Sequence, residues 1–422
     1  MSGNGKPGKV LVIGGGISGI TAAIEASEAG CEVVLVEKNP YLGGRVAAAH
    51  QYFPKLCPPT CGLEINFRRI KDNPRIKVMT LAEVEKVDGG PGNYEVTVKQ
   101  NPRYVNENCT CCGACAEACD TEISHDFNFG MNKVKGAHLP FEMAFPARFV
   151  LSPQIIGTDA AAKAKEACKY DAVDLDMAAQ TVNLQVGAIV WATGWEPYDA
   201  TRIDNLGFGQ YDNIITNMMM ERLASPNGPT KGQILRPSDD KAPESVAFVQ
   251  CAGSRDENHL PYCSYICCMA SLKQATYVRE RYPEAKIYIF YIDLRAPGQR
   301  YEKFYQTIKD DPNVFFVKGK VAEVSEDPAS KAVTVVAENA VTGEKTKQTV
   351  DLVVLATGMQ PTAANAKLPA DLKYNADGFI INDYEKGGMF AAGCANKPAD
   401  VVSSNQNATG MALKAIQTLA RK

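Results

Sequence analysis

A chain of 422 residues with 45% hydrophobic and 22% charged residues has an ordinary globular composition and is too long for one domain, so two or three are expected. A formal net charge of −3 gives no basic surface for nucleic acid, and the absence of any run of roughly 18 apolar residues argues against a membrane-spanning helix. The first nine residues, MSGNGKPGK, hold no apolar stretch and so no export signal; with fourteen cysteines this points to a reducing compartment, where clustered thiols mean metal or redox chemistry.

From Lys9 to Lys38 the chain reads as a complete βαβ unit. Val10–Ile13 is an apolar run of the kind that forms a buried parallel strand, an apolar helical stretch follows, and Val33–Val36 is a second strand. Gly14, Gly16 and Gly19 between them form G-x-G-x-x-G, and Glu37 stands 18 residues after Gly19. The glycines serve a tight turn, close backbone approach to a pyrophosphate and close helix–strand packing. The helix start, Ile17 and Ser18, offers free N–H groups to phosphate; Glu37, followed by Lys38, can accept from a ribose hydroxyl. The motif alone leaves open whether the dinucleotide is FAD or NAD. Next comes Gly43-Gly44-Arg45, which resembles the glycine pair that in flavoproteins with this N-terminus lets the chain pass close to the cofactor; Arg45 would then meet a phosphate or a ring edge, and the alternative is a surface turn.

Two segments then echo each other. Residues 75–88 lead to an alternating strand at 94–98, and residues 313–327 lead to another at 332–336. Each copy reaches an apolar strand ending in Ala-Thr-Gly, at Ala192-Thr193-Gly194 and Ala356-Thr357-Gly358. Two dinucleotide-type domains, one inserted into the other, would give this echo. The chain here resembles the two-dinucleotide-domain flavoproteins that include thioredoxin and glutathione reductases. The resemblance implies an α/β fold, FAD at the first fingerprint, and a return to the FAD domain at the second Ala-Thr-Gly. It also implies a flavin-side contact at Gly393-Cys394, with Cys394 where the family usually has Asp, before a last helix at 401–419.

A second domain is expected from about Glu244, with a strand at 245–249, a helix at 265–281 and a strand at 286–292. After its first strand it has Gln250-Cys251-Ala252-Gly253-Ser254-Arg255-Asp256 in place of a glycine fingerprint, so direct NAD(P)H oxidation is not expected. The expected division is a FAD domain over 1–100, a ferredoxin-like insertion over 101–186, a continuation of the FAD domain over 187–243, the second domain over 244–350 and a closing part over 351–422.

Cys109, Cys112, Cys115 and Cys119 follow C-x₂-C-x₂-C-x₃-C, the bacterial ferredoxin run for a [4Fe–4S] cluster, with Asp120 where Pro is usual. In paired runs the fourth Cys serves the other cluster, and Cys168 resembles the tail of a second, reduced run. Cys168 is therefore preferred over Cys119 as fourth ligand, and Cys111 is a bystander. A second group, Cys251, Cys263, Cys267 and Cys268, places four thiols in 18 residues without the spacing of a common zinc site. Cys57-Pro58-Pro59-Thr60-Cys61 is a further pair, read as structural in preference to redox-active. Cys31 reads as core, and the four histidines are scattered singly.

The stretch QCAGSRDENHLPYCSYICCMASLKQA resembles the cluster motif of the A-type subunits of heterodisulfide reductases, a family of FAD proteins with a ferredoxin-like insertion and an unusual [4Fe–4S] site in the second domain. The shortened form is similar to the A-type subunit of the quinone-interacting membrane-bound oxidoreductase of sulfate reducers. That resemblance implies an electron-transfer subunit with FAD and two [4Fe–4S] clusters and no residue acting as acid, base or nucleophile. It implies a cytoplasmic chain held on the inner face of the membrane by two partners, a haem-bearing membrane subunit with a homologous flavin/iron–sulfur subunit. Electrons would pass between menaquinol and adenylylsulfate reductase. The alternatives are a heterodisulfide reductase-type subunit with other partners, a stand-alone flavin disulfide reductase using Cys57 and Cys61, and a scaffold with structural cofactors.

Overall fold

The computed structural model describes residues 8–53, 55–339, 342–385 and 387–421. Residues 1–7, on which the expectation about an export signal largely rests, lie outside the described residues.

Val10, Leu11 and Val12 have no solvent exposure, and alternate residues of their strand belong to different cores: Val10 and Val12 to one, Leu11 and Ile13 to the other. A strand with two dry faces must be covered on both, and that requirement sets the architecture. Lys9–Ile13 is the centre of a five-stranded parallel sheet in the order Met389–Ala391, Ala188–Trp191, Lys9–Ile13, Glu32–Glu37, Ile76–Thr80. The helices Ile17–Glu28 and Val401–Ala420 pack on one face. A three-stranded antiparallel meander, Ala82–Gly90, Asn93–Gln100 and Gln180–Val186, covers the other.

The second unit repeats the plan. Its parallel sheet runs Ile214–Thr216, Leu352–Thr357, Ser245–Ala252, Lys286–Tyr291, Val314–Lys318. Helices Asn217–Ala224, Cys267–Arg281 and Gln299–Lys309 lie on one face and the meander Lys320–Glu326, Val333–Glu338, Lys345–Val350 on the other. The echo in sequence is thus a duplication of sheet plus meander. A short antiparallel ribbon, Trp195–Pro197 against Met359–Pro361, joins the two units.

Three expected boundaries move. Gln180–Val186 completes the first meander, so the insertion ends near 179 and not at 186. Ile214–Thr216 is an edge strand of the second sheet, so that unit begins before Glu244. Leu352–Thr357, placed in the closing part of the FAD domain, pairs instead with Ile214–Thr216 and Ser245–Ala252; the strand that closes the first sheet is Met389–Ala391. The two strands that end in Ala-Thr-Gly are equally apolar, and only partners distant in sequence decide which sheet takes each. Inside the insertion, Val105, Cys115, Phe149, Leu151, Ile155, Ala160, Ala164 and Val173 form a separate small core.

Gly19 shows how tightly the first unit closes, since a Cβ there would stand 1.7 Å from the Gly14 carbonyl oxygen. Gly19→Ala is expected to destabilise by roughly 1–3 kcal/mol through overpacking. Gly410, in the last helix with nothing within 4 Å of an added Cβ, is expected to gain about 0.5–1 kcal/mol on change to Ala. Denaturant midpoints moving in opposite directions are the check.

Candidate functional site

The fingerprint loop sits at the carboxyl end of the central strand, where open parallel sheets hold their ligands. Gly14 has φ 106°, and its close approach to the first Ala-Thr-Gly leaves no room for a Cβ, which would meet the Ala192 oxygen at 2.2 Å. Gly16 caps the helix Ile17–Glu28 with no side-chain hydrogen bond, which leaves the first-turn N–H groups for a ligand. Glu37 holds this loop from the next strand. Its Oε2 accepts from the Gly15 N–H at 2.6 Å, and its Oε1 accepts from the Asn39 backbone and side-chain amides at 2.7 and 2.8 Å. Burial raises its pKa while these donors lower it. A carboxylate has about four lone-pair sites, so one remains for a ribose hydroxyl.

A cleft of about 550 Å³ runs from this loop to the start of the last helix. It is lined by Gly14, Gly16, Ile17, Ser18, Glu37, Lys38, Gly44, Arg45, Ala192, Thr193, Gly194 and Cys394, all expected from sequence. Gly43 and Gly44 pass against Gly16, where a Cβ on Gly44 would stand 2.9 Å from the Gly16 Cα. Arg45 donates from Nε to the Trp195 carbonyl at 2.9 Å and lies over the Trp195 ring. The Cys394 thiol donates to the Ala399 carbonyl at 3.4 Å, and burial pushes its pKa up to about 11.

Three residues expected at the cofactor do not line the cleft. Gly19 has the close-packing role expected of a fingerprint glycine, and Gly393 packs at φ 60° with a Cβ position 2.1 Å from the Ser18 Oγ. Gly358 follows its strand into the second unit, and a Cβ there would meet Leu260 and the Ser254 hydroxyl. Sequence reasoning missed Tyr41, Phe127, Phe129 and Trp195 on the cleft wall. It also missed Asp400, which lines the cleft, caps the last helix by accepting from the Ser403 N–H at 2.8 Å, and supplies a carboxylate close to where Cys394 replaces one. A Ser/Asp cap before an apolar helix was the available signal. Two buried polar atoms on this cleft have no partner, the Trp191 indole N–H and the Thr193 hydroxyl. With the bare helix start and the glycine cradle they fit a dinucleotide.

A second, mainly apolar cavity of about 160 Å³ shares Arg45, Val46, Trp195 and Asp400 with the cleft. Its far wall is Ile266, Met269 and Lys273, along the helix that Cys267 begins. The Lys273 ammonium is paired with Glu221 at 3.0 Å, both nearly without exposure. Glu221 also accepts from Gln274, from the Tyr277 hydroxyl and from the His50 N–H, and Lys273 donates to the Gln51 carbonyl.

The thiols form two groups. Burial and the sulfurs of Cys109, Cys168 and Cys112 together push the Cys115 pKa up to about 11. Cys168 accepts from the Ala172 N–H at 3.3 Å, as a metal-bound thiolate does. Cys119 instead turns its thiol to the Thr121 carbonyl, against Gly136. In the second unit, Cys251, Cys263, Cys267 and Cys268 act on one another. Burial, then Cys268, raise Cys251 to about 11 against the pull of Arg255, and burial with its three neighbours also raises Cys267 well above the usual thiol value. Cys263 accepts from the Tyr265 N–H at 3.4 Å. Among the described residues no three such groups take the geometry of a single metal ion. Thiols that hinder one another's ionisation suit a polynuclear centre, whose positive charge reverses that repulsion and whose size spreads its ligands.

Residues 9–63 match the family model described as FAD dependent oxidoreductase. Over 98% of its length the chain is 39% identical to the second A-type iron–sulfur subunit of the CoB–CoM heterodisulfide reductase of Methanopyrus kandleri, covering 64% of that protein. Over 95% it is 38% identical to the corresponding iron–sulfur subunit of Methanocaldococcus jannaschii, covering 63%. The chain thus spans a little under two-thirds of the length of these relatives. Thioredoxin reductase of Lactococcus lactis aligns over 98% of this chain and 100% of its own at 13% identity and TM-score 0.55. Thioredoxin reductase of T. acidophilum aligns over 99% of both at 14% and TM-score 0.55. The fold is that of the thioredoxin reductase-like flavoproteins.

Glu221→Gln leaves the Lys273 ammonium buried without a counter-charge, and a loss of about 3–5 kcal/mol is expected. Glu221→Gln with Lys273→Met should recover much of it. Chemical denaturation of the two variants is the measurement.

Proposed function

We propose that this chain is an oxidoreductase of the heterodisulfide reductase A type, an electron-transfer protein with FAD in the cleft and a [4Fe–4S] cluster at each thiol group. One observation carries the reading: Cys267 and Cys268 begin the helix that walls the cavity, and the cavity shares Arg45 and Trp195 with the cleft. The cleft and the cavity are thereby neighbours, and the second thiol group starts the helix on the cavity's far wall. The likeness to the archaeal proteins over nearly the whole chain supports it.

In this reading Gly14, Gly16, Ile17 and Ser18 hold the pyrophosphate, Glu37 and Lys38 the ribose, and the Trp191 and Thr193 donors find their acceptors on the cofactor. Arg45, Trp195 and Asp400 position the ring end, and the apolar cavity walls keep water from it. Cys109, Cys112, Cys115 and Cys168 hold one cluster and Cys251, Cys263, Cys267 and Cys268 the other. FAD, when bound, takes up electrons in pairs and releases them singly, which suits it to a neighbour of iron–sulfur centres.

The finer reading adds a role in sulfate respiration between menaquinol and adenylylsulfate reductase, in a complex with a haem-bearing membrane subunit plus a homologous flavin/iron–sulfur subunit. It places the chain on the cytoplasmic face of the membrane. It rests on the sequence resemblance. Among the described residues no helix is long and apolar enough to cross a membrane, which is compatible with attachment through partners. The proteins that purify with the chain discriminate this from a complex with other partners.

Iron and flavin content per chain tests the core of the proposal. One FAD and about eight irons are expected; flavin without iron would overturn it. Cys168→Ser is expected to lose about four irons and Cys119→Ser to keep them, and the reverse result would reassign the fourth ligand.

A further inference from the structure

The strand Ser245–Ala252 carries a bulge where the second thiol group begins. Val249 pairs with Leu355 and Ala252 with Thr357, so two residues, Gln250 and Cys251, stand opposite the single Ala356. Cys251 takes up the extra length in the left-handed region, at φ 58°. The two faces of the sheet record the insertion. Val246 and Phe248 belong to the core under the helices, whereas Ala247, Val249 and Ala252 belong to the core under the meander. Gln250 and Cys251 therefore both fall on the helix side, where a regular strand would place one residue. The Cys267 thiol comes to the same spot and donates to the Ala356 carbonyl at 3.8 Å.

Gln250 is 6% exposed, and neither its amide nitrogen nor its amide oxygen has a hydrogen-bond partner among the described residues. Ser271 lies one helical turn after Cys267 on the same face of its helix. It is fully buried, and its hydroxyl also lacks a partner. A hydroxyl inside a helix ordinarily donates to the carbonyl four residues back, as Thr21, Thr307 and Thr418 do. Ser271 leaves that bond unmade. Two dry donors without acceptors, one next to Cys251 in the chain and one a turn from Cys267, are costly as they stand. The sulfurs of an iron–sulfur centre held by those cysteines would be their acceptors.

We infer that the Gln250 side-chain amide and the Ser271 hydroxyl donate hydrogen bonds to the sulfurs of the [4Fe–4S] centre at the second thiol group and raise its reduction potential. The inference rests on the function proposed above. Donors at sulfur favour the more negative, reduced form of such a centre. Cys267 and Cys268 are buried, so at their sulfurs these side chains do what water does at an exposed site.

The test is an anaerobic potentiometric titration of the chain with its cofactors, followed by electron paramagnetic resonance, with iron and flavin counted in each sample. Gln250→Met and Ser271→Ala each remove one donor with little change of volume. In both variants the same one of two cluster midpoints is expected to move negative, the other staying in place, with about eight irons retained. The expected size is up to a tenfold change in the oxidised-to-reduced ratio at a fixed potential, about 59 mV for a one-electron couple. The double variant should shift further than either. Unchanged midpoints in either variant, with iron retained, would overturn the inference, because groups that only pack or hold a buried water leave the potential where it was. Where one variant loses iron, the shift in the other decides. An unmutated chain without iron would instead defeat the proposed function, so the two failures are distinguishable.

Discussion

The relative placement of three parts of the chain depends on one buried guanidinium. Arg222 is 1% exposed. It donates to the Asn128 side chain of the insertion at 2.8 Å, to the Ala48 carbonyl of the first unit at 3.5 Å, and to both oxygens of Asn227 in its own unit at 3.0 Å. Phe127 lies beneath it, 4.6 Å from ring centre to Cζ. Burial lowers its pKa to about 10, with Glu221 and Tyr41 opposing, so it stays charged near neutrality. A charge taken out of water must have its donors satisfied, and here the satisfying oxygens come from three separate regions. Arg222 thereby fixes Phe127 on the cleft wall and seats the helix Asn217–Ala224 against the loop after Arg45. Gly228 is part of the same arrangement, since a Cβ there would meet the Arg222 oxygen at 1.7 Å.

The duplicated plan has opposite outcomes in its two copies. In the first, three residues, Gly14, Gly15 and Gly16, separate the central strand from its helix, and backbone N–H groups face the ligand space. In the second, the strand Ser245–Ala252 is followed by the longer loop 253–266, and the helix opens with Cys267 and Cys268. Both sites occupy the carboxyl edge of a parallel sheet beside a helix start, the place where such sheets gather ligands. Backbone donors there suit an anion. Thiols there suit a cationic centre, and burial dominates the raised pKa of Cys267.

What was legible in the sequence follows from how local its physical cause is. The Lys9–Lys38 unit was readable because strand, turn and helix are each specified by neighbours. The thiol groups were readable because spacing along the chain limits which sulfurs can meet, whereas the turn of Cys119 toward the Thr121 carbonyl was not. The fate of Leu352–Thr357 was not readable, since an apolar strand fits either sheet until its partners are known, and Gly358 was misplaced with it. Arg222 and Glu221 were invisible for a related reason. A charged pair in a short helix ordinarily faces solvent, and only the crossing of the insertion, the first unit and the second buries it.

The two thiol groups differ in their access to water, and on the proposed reading that difference has a direction. Cys112 is exposed and Cys109 and Cys168 are partly so, on an insertion with its own small core. Cys267 and Cys268 are 5% and 7% exposed while Cys251 and Cys263 are half-buried, with Arg255 bearing on Cys251 and Arg295 on Cys268. Adding an electron to a centre costs more where the surroundings are dry, and nearby guanidinium groups and N–H donors offset that cost. The second group thus combines a dry wall with compensating charge and adjoins the cavity that borders the cleft. The first has solvent on one side. On the proposed reading, the more exposed group suits an external partner and the drier one, beside the cavity that borders the cleft, suits the cofactor, and the Arg222 contacts hold both in the same frame.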